Sequence, residues 1–436
     1  MPLLYDIATG LYHAGVRAAA PFKPKAKQWV DGRVGLWQRL EEKRGALRGC
    51  LWMHCASVGE FEQGRPVLEA IKKERPELPV LLTFFSPSGY EARKHFKLAT
   101  HVEYLPADSA SNAARLVKLV EPKAAIFVKY EFWYYYLHAL KRAGIPTYLV
   151  SAIFRPSQPF FKWYGKAWRE MLACFAEIFT QDNPSRDLLS GIGVKNVLVS
   201  GDTRFDRVNA IASSGGTEWG LVVAKAFKGN HRTLVCGSTW PKDEVLLLDA
   251  LARLPQRPKV IVAPHEIDPE QLRNIEARFP KPLVRLSELD GTDPANIAAT
   301  LGQEATGTLL VDRMGLLARL YEHGDLAYIG GGFGDGIHSL LEAAAWGKPV
   351  IFGPRHTKFA EAKGLINAGG GFEVRNAEEL RAVLEKLLTD PTARAEASEA
   401  AGRYAREYGG ATERIVKVIA PSLRASAPIF GAPPWA

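Results

Sequence analysis

"CLWMHCASVGEFEQGRPVLEAIKKERPELPVLLTFF", residues 50–85, decides the fold. An apolar run at 50–55 leaves through Ser57, Val58 and Gly59 into a helical pattern over 60–74, and a second apolar run follows at 80–85. The same alternation continues outward. Strand-like runs stand at 102–105, 124–129, 146–152, 177–182 and 196–201, and helical patterns at 109–119 and 131–143 separate some of them. Strand and helix alternating at this pace predict a mostly parallel sheet covered on both faces.

The small, glycine-rich segment "NAIASSGGTEWG" at 209–220 reads as a domain boundary. After it the alternation resumes, with strands expected at 233–237, 259–264, 283–286, 307–312, 326–331 and 349–353. A chain of 436 residues exceeds the size at which one core stops growing. The expected division is a lead-in at 1–48, one doubly wound domain at 49–212, a second at 213–415 and a tail at 416–436. The fold class is α/β, with two Rossmann-like halves facing across a cleft. Ligand-binding loops then lie at the carboxyl ends of the strands. A long surface loop is expected at 287–306, where turn formers and small residues break the rhythm.

The formal charge of +9 suits nucleic acid, an anionic membrane surface or phosphorylated substrates, and charge alone does not choose among them. The four cysteines lack zinc-ligand or C-x-x-C spacing, which points to a reducing compartment and no structural metal. Near the N-terminus, Leu3, Leu4, Ile7, Leu11 and Val16 recur at roughly helical spacing, and Asp6 interrupts the first apolar run. No uncharged apolar span approaches the roughly 20 residues a membrane helix needs. Residues 1–50 carry nine Lys or Arg against four Asp or Glu. A short apolar helix lying on anionic lipid with a basic collar fits this pattern, and so does an arm packed on its own domain.

Unusual polar residues fall at the strand-to-helix junctions. Ser57, Gly59 and Glu60 stand at the first. A carboxylate there caps backbone N–H groups, or takes a proton from a hydroxyl nucleophile. The run "KYEFWYYY" places Lys129, Glu131 and Trp133 past the fourth strand, where Glu131 can orient or bind an acceptor. Arg155 stands beside Phe160, Phe161, Trp163 and Tyr164, a mixture that suits acyl chains and phosphate or a nucleic-acid strand.

In the second half, Ser238 and Thr239 follow Gly237 as an anion seat, although the P-loop pattern is unmet. His265 ends the next strand. Its neighbours Glu266 and Asp268 match no zinc signature. Glycines 330, 331, 332, 334 and 336 precede His338 and Ser339, which are expected to open a helix containing Glu342. Such a loop lets backbone N–H groups approach a phosphate, while Glu342 can accept hydrogen bonds from a sugar. A dinucleotide fingerprint would open the first crossover instead, so a nucleotide-linked donor is favoured over NAD.

Taken together, "ASVGEFEQG", "FVKYEFW", "CGSTW", "APHE", "RMGLLARLY" and "YIGGGFGDGIHSLLEAAAWGKPVIFGP" resemble the 3-deoxy-D-manno-octulosonic acid (Kdo) transferases of lipopolysaccharide synthesis, from about residue 35 to 415. The resemblance implies a GT-B fold, CMP-Kdo as donor on the second domain, and a lipid A precursor as acceptor on the first. It implies peripheral association with the cytoplasmic face of the bacterial inner membrane. It places the general base on Glu60, and donor contacts on Ser238, Thr239, His265, Met314, Gly315, Gly331, Gly332, Gly334, His338, Ser339 and Glu342. The sequence departs from the family at Gly336, Ile337, His338 and Ser339, where Gly-Gly-His-Asn is expected. No cofactor is anticipated, and the absence of a D-x-D motif argues against an obligatory metal clamp. Alternatives are a GT-B enzyme that uses or epimerises a UDP-sugar, and a non-enzymatic nucleic-acid or membrane-binding protein.

Overall fold

Residues 50–85 form a parallel crossover unit in the computed structural model, which describes residues Pro2–Arg424. Strands β1 (Leu51–Cys55) and β2 (Val80–Phe84) pair in parallel, from Leu51 with Val80 to Cys55 with Phe84. Helix Val58–Glu74 joins them. Every residue of both strands is buried, as a sheet covered on both faces requires. At Gly64 a Cβ would stand 2.8 Å from Val128 and 3.1 Å from the Met53 sulfur, so glycine lets this helix press against the sheet.

The chain divides into two compact units, one formed by residues 1–206 with 410–436 and the other by 207–409. The first unit continues with β3 (His101–Tyr104), β4 (Ala124–Val128), β5 (Thr147–Ala152), β6 (Glu177–Thr180) and β7 (Val197–Val199). Its strand order is β3-β2-β1-β4-β5-β6-β7, and all its pairs are parallel. The order reverses between β1 and β4. In such sheets a crevice opens beyond the carboxyl ends at that point. Trp52, Leu81, Phe127 and Leu149 pack on one face, and Leu51, Met53, Leu82 and Ile126 on the other.

The second unit repeats this plan with β8 (Thr233–Thr239), β9 (Lys259–Pro264), β10 (Leu283–Arg285), β11 (Thr308–Leu310), β12 (Leu326–Ile329), β13 (Val350–Phe352) and β14 (Gly371–Glu373). The order is β10-β11-β9-β8-β12-β13-β14, reversing between β8 and β12. Every strand expected from the sequence forms, and β14 was not anticipated.

Three expectations need correction. The chain passes from the first unit to the second at Asp206–Arg207, inside helix Thr203–Ser214, rather than at the glycine-rich segment 209–220. The segment 287–306 holds a short helix, Pro294–Ala299, capped by Asp293 and anchored by buried Ile297. Residues 416–424 belong to helix Ala411–Arg424, whose Ile415, Val416, Ile419 and Leu423 complete the core of the first unit. Asp206 accepts the backbone N–H groups of Gly410 and Thr412 and so caps that helix. The rest of the expected tail, 425–436, lies outside the described residues.

The N-terminal lead-in belongs to the first unit. Its helix Pro2–Ala19 docks through Tyr5, whose hydroxyl donates to Asp108 at 2.5 Å, and through Tyr135, whose hydroxyl donates to Asp6 at 2.7 Å. Leu3, Ile7 and Leu11 remain 72%, 50% and 69% exposed. Among the described residues, no helix is long and apolar enough to cross a membrane.

Candidate functional site

In the first unit, the carboxyl ends of β1 and β4 gather two of the expected carboxylates. Ser57 is the N-cap of helix Val58–Glu74, with φ −142° and ψ 173°, yet its side chain makes no cap hydrogen bond. Glu60 reaches back instead, and its Oε2 accepts the Ala56 N–H at 2.5 Å. Capping therefore accounts for one of its oxygens. A Cβ built on Gly59 would meet only the Ser57 hydroxyl, at 4.0 Å, so packing within the chain does not demand glycine there.

Burial, and next the charge of Glu131, push the Glu60 carboxyl up to about 7. The N–H groups of Ala56 and Ser57 and the charge of Lys129 pull the other way and lose. Glu131 itself is 6% exposed. Its Oε2 lies 2.9 Å from His54 Nε2 and accepts the Trp133 indole N–H at 2.7 Å. On the far side of the fully buried His54 ring, Nδ1 lies 2.9 Å from the Thr83 hydroxyl and 3.1 Å from the Thr83 carbonyl. The Thr83 hydroxyl also accepts the Trp52 indole N–H at 2.8 Å. This buried line, Thr83 to His54 to Glu131, holds in place an acid that, after burial, contributes most to raising the proton affinity of Glu60.

Arg155 stands apart from that line. It is exposed in the loop after β5, its backbone N–H donating to Gln158, and its charge reaches Tyr130 just past β4.

In the second unit, Ser238, Gly315, His338, Ser339 and Glu342 line one cavity of about 320 Å³, closed on its apolar side by Leu317, Ala318 and Ile329. The imidazoles of His265 and His338 stack 4.4 Å apart, and His265 stacks on Trp240 at 4.6 Å. Trp240 donates its indole N–H to His338 Nε2 at 3.1 Å. An indole nitrogen only donates, so Nε2 must accept and the ring is neutral with its proton on Nδ1. Burial, then the neighbouring His265, lower the proton affinity of His338 in the same sense.

Other expected contacts lie elsewhere. The Thr239 hydroxyl is buried and donates to Glu244, while Met314 is 71% exposed and off the cavity wall. The glycine loop is less open than its sequence suggests. Gly331 donates its N–H to Asp243 Oδ2 at 2.8 Å, Gly334 donates to the Gly331 carbonyl at 2.9 Å, and a Cβ at Gly332 would strike the Gly353 backbone at 2.6 Å. These glycines shape and pack the loop. Ser339 precedes rather than opens the following helix, which runs only from Leu341 to Ala345.

Sequence reasoning missed His54, Thr83 and Asp243. His54 carried a signal, because a polar residue inside a strand buried on both faces must find a partner. Asp243 carried a weaker one, three residues after the Trp240 cap, where its Oδ2 also accepts the Trp240 N–H at 3.0 Å. Its Oδ1 accepts the Tyr328 hydroxyl at 3.0 Å, so one carboxylate ties β12 and the glycine loop to helix Pro241–Ala252.

Comparison with known proteins bears on this arrangement. Residues 29–207 match the family profile described as 3-deoxy-D-manno-octulosonic-acid transferase. A relative from Bordetella pertussis carrying the name 3-deoxy-D-manno-octulosonic acid transferase is 28% identical over 442 residues, covering 94% of this chain and 98% of that one. Among solved structures, a UDP-N-acetylglucosamine 2-epimerase from Listeria monocytogenes aligns with a TM-score of 0.57 at 12% identity, over 88% of this chain and all of the other. That likeness speaks for the fold alone, which with two doubly wound units is GT-B. A 3-deoxy-D-manno-octulosonic acid transferase of Aquifex aeolicus is 30% identical over 353 residues, 78% of this chain and 87% of the other, and the chain belongs to the 3-deoxy-D-manno-octulosonic acid transferase family.

Proposed function

We propose that the protein transfers Kdo from CMP-Kdo to a lipid A precursor of the lipid IVA type, with inversion, in lipopolysaccharide inner-core assembly. The observation that carries this reading is Glu60, a carboxyl held near neutrality at the carboxyl end of β1, next to a glycine that no packing requires. Its ionised form takes the proton of the attacking sugar hydroxyl. The hydroxyl oxygen bonds to the anomeric carbon of Kdo, the bond from that carbon to the phosphate oxygen breaks, and CMP departs with the electron pair from the opposite face. One displacement inverts the centre.

In the second unit, the hydroxyls of Ser238 and Ser339 and the Nδ1–H of a neutral His338 supply donors for the leaving phosphate. Glu342 accepts hydrogen bonds from sugar hydroxyls. Ser339, where the family is expected to carry an amide, keeps a donor with shorter reach.

The acceptor is met at a membrane surface, peripherally, on the cytoplasmic face of the inner membrane. Leu3, Ile7 and Leu11 form the exposed row of helix Pro2–Ala19, Phe22 is 85% exposed just beyond it, and Arg17, Lys23, Lys25 and Lys27 stand alongside. Trp163, 92% exposed between Lys162 and Lys166, adds a second aromatic contact of the same kind. The direct test supplies CMP-Kdo and a lipid A precursor and resolves product mass. A gain of one or more Kdo units is expected. No gain, with transfer or epimerisation when UDP-sugars are offered instead, would overturn the reading.

A further inference from the structure

We propose that the apolar cavity beneath the N-terminal helix holds one saturated acyl chain of the acceptor lipid while its sugar lies at Glu60. This inference rests on the acceptor being a lipid, as proposed above. The cavity lies wholly in the first unit and measures about 540 Å³, within the range of small-molecule sites. Tyr5, Ala8 and Tyr12 of the N-terminal helix wall one side, and Phe85, Trp133 and Trp168 the other.

Polar atoms in this lining are largely bonded within the protein. The Tyr5 hydroxyl donates to Asp108, Asp108 also accepts the backbone N–H groups of Tyr135 and Tyr136, and the Thr9 hydroxyl donates to the Tyr5 carbonyl. Carbon surface is what remains for a guest. Burial pushes the Asp108 carboxyl up to about 6, so the one acid in the wall sits in a poorly solvated setting.

Two observations choose the guest. The cavity abuts the carboxylate cluster, because the same Trp133 that walls it donates its indole N–H to Glu131. A chain lying against that ring leaves the rest of its molecule close to the acid–base groups. The helix, moreover, is apolar on two opposite faces. At roughly 100° per residue, Tyr5, Ala8, Thr9 and Tyr12 fall on one side, and exposed Leu3, Ile7 and Leu11 fall about half a turn away. A soluble guest would need no outward apolar row. A chain drawn from a lipid surface, passing under a helix that rests on that surface, uses both faces.

The test uses the full-length protein and two readouts, one of them independent of catalysis. Tetradecanoic acid bearing a photoreactive diazirine at its methyl end is irradiated with the protein, and labelled residues are mapped by mass. Labelling should fall on Tyr5 to His13 facing inward, on Trp133 or on Trp168, and unlabelled tetradecanoate should compete. Labelling confined to Leu3, Ile7 and Leu11, or uncompeted, would overturn the proposal. The second readout compares acceptors with and without acyl chains. Ala8 is exposed and lines the cavity, so Ala8→Trp should fold and narrow the space open to a guest. The ratio of kcat/KM for acylated over chain-free acceptor should fall at least about tenfold, the effect of excluding a few methylenes at about fourfold each. An unchanged ratio would overturn the proposal. Absence of transfer to either acceptor by the unmodified protein would instead sink the transferase reading, and photolabelling would still report on the cavity.

Discussion

A carboxylate in the first turn of a helix is ordinarily held ionised by the N–H groups it faces. Glu60 keeps such a contact, to Ala56, yet burial and the charge of Glu131 outweigh it and hold the group near 7. Transfer should therefore rise with pH through a midpoint near 7, because below it the carboxyl already carries the proton it must take. Glu131→Gln removes the negative neighbour and leaves the burial, so the midpoint should move down toward the ordinary carboxylate range. A pH profile of kcat/KM for both proteins checks this, and an unmoved midpoint would deny the coupling. Glu60, Glu131 and His338 were legible as candidates because junctions of an alternating chain place polar residues at strand ends. Their supports were not. His54 lies 77 residues from Glu131 and Asp243 lies 88 from Gly331, pairings that no local period records.

At the scale of elements, the structure bears out the reading of the N-terminal helix as an arm packed on its own domain, and contact with lipid is what we propose for its outward face. It packs through Tyr5 and also shows an apolar row outward. Replacing Leu3, Ile7 and Leu11 together by Ser should lower partitioning onto anionic vesicles by about tenfold or more, since each change withdraws an apolar side chain from the interface. Sedimentation with vesicles measures it, and salt alone should not release the unaltered protein. Complete release by salt would assign the binding to the basic residues. The strands were legible from short β-rich runs between turn formers, whereas β14, only Gly371 to Glu373, is too short to show a pattern. The glycine loop was legible as a loop. That its N–H groups are partly spent on Asp243 and on itself was not, because the glycine run names a flexible backbone without naming its partners.

For the whole molecule, helix Ala411–Arg424 belongs to the first sheet although it follows the second in the chain. The pattern of a single helix does not name the sheet on which its apolar face lands, so the division at 415 missed this return. Ile415, Val416, Ile419 and Leu423 are buried, at about 1.5–3 kcal/mol each. Their sum, roughly 6–12 kcal/mol, rivals the 5–15 kcal/mol that typically stabilises a domain. Ending the chain after Gly410 should accordingly unfold the first unit and leave the second folded, seen as one lost thermal transition and protease-sensitive residues before 206. Retention of both transitions would show that the helix is dispensable. Two doubly wound units supply the frame, and Glu60 is the base we propose. The most direct test compares Kdo transfer by the unmodified protein and by Glu60→Gln, with CMP-Kdo binding measured in both. Transfer lost by about two to four orders of magnitude with donor binding intact is the predicted result. Full transfer by Glu60→Gln would contradict it and take the base away from the end of β1.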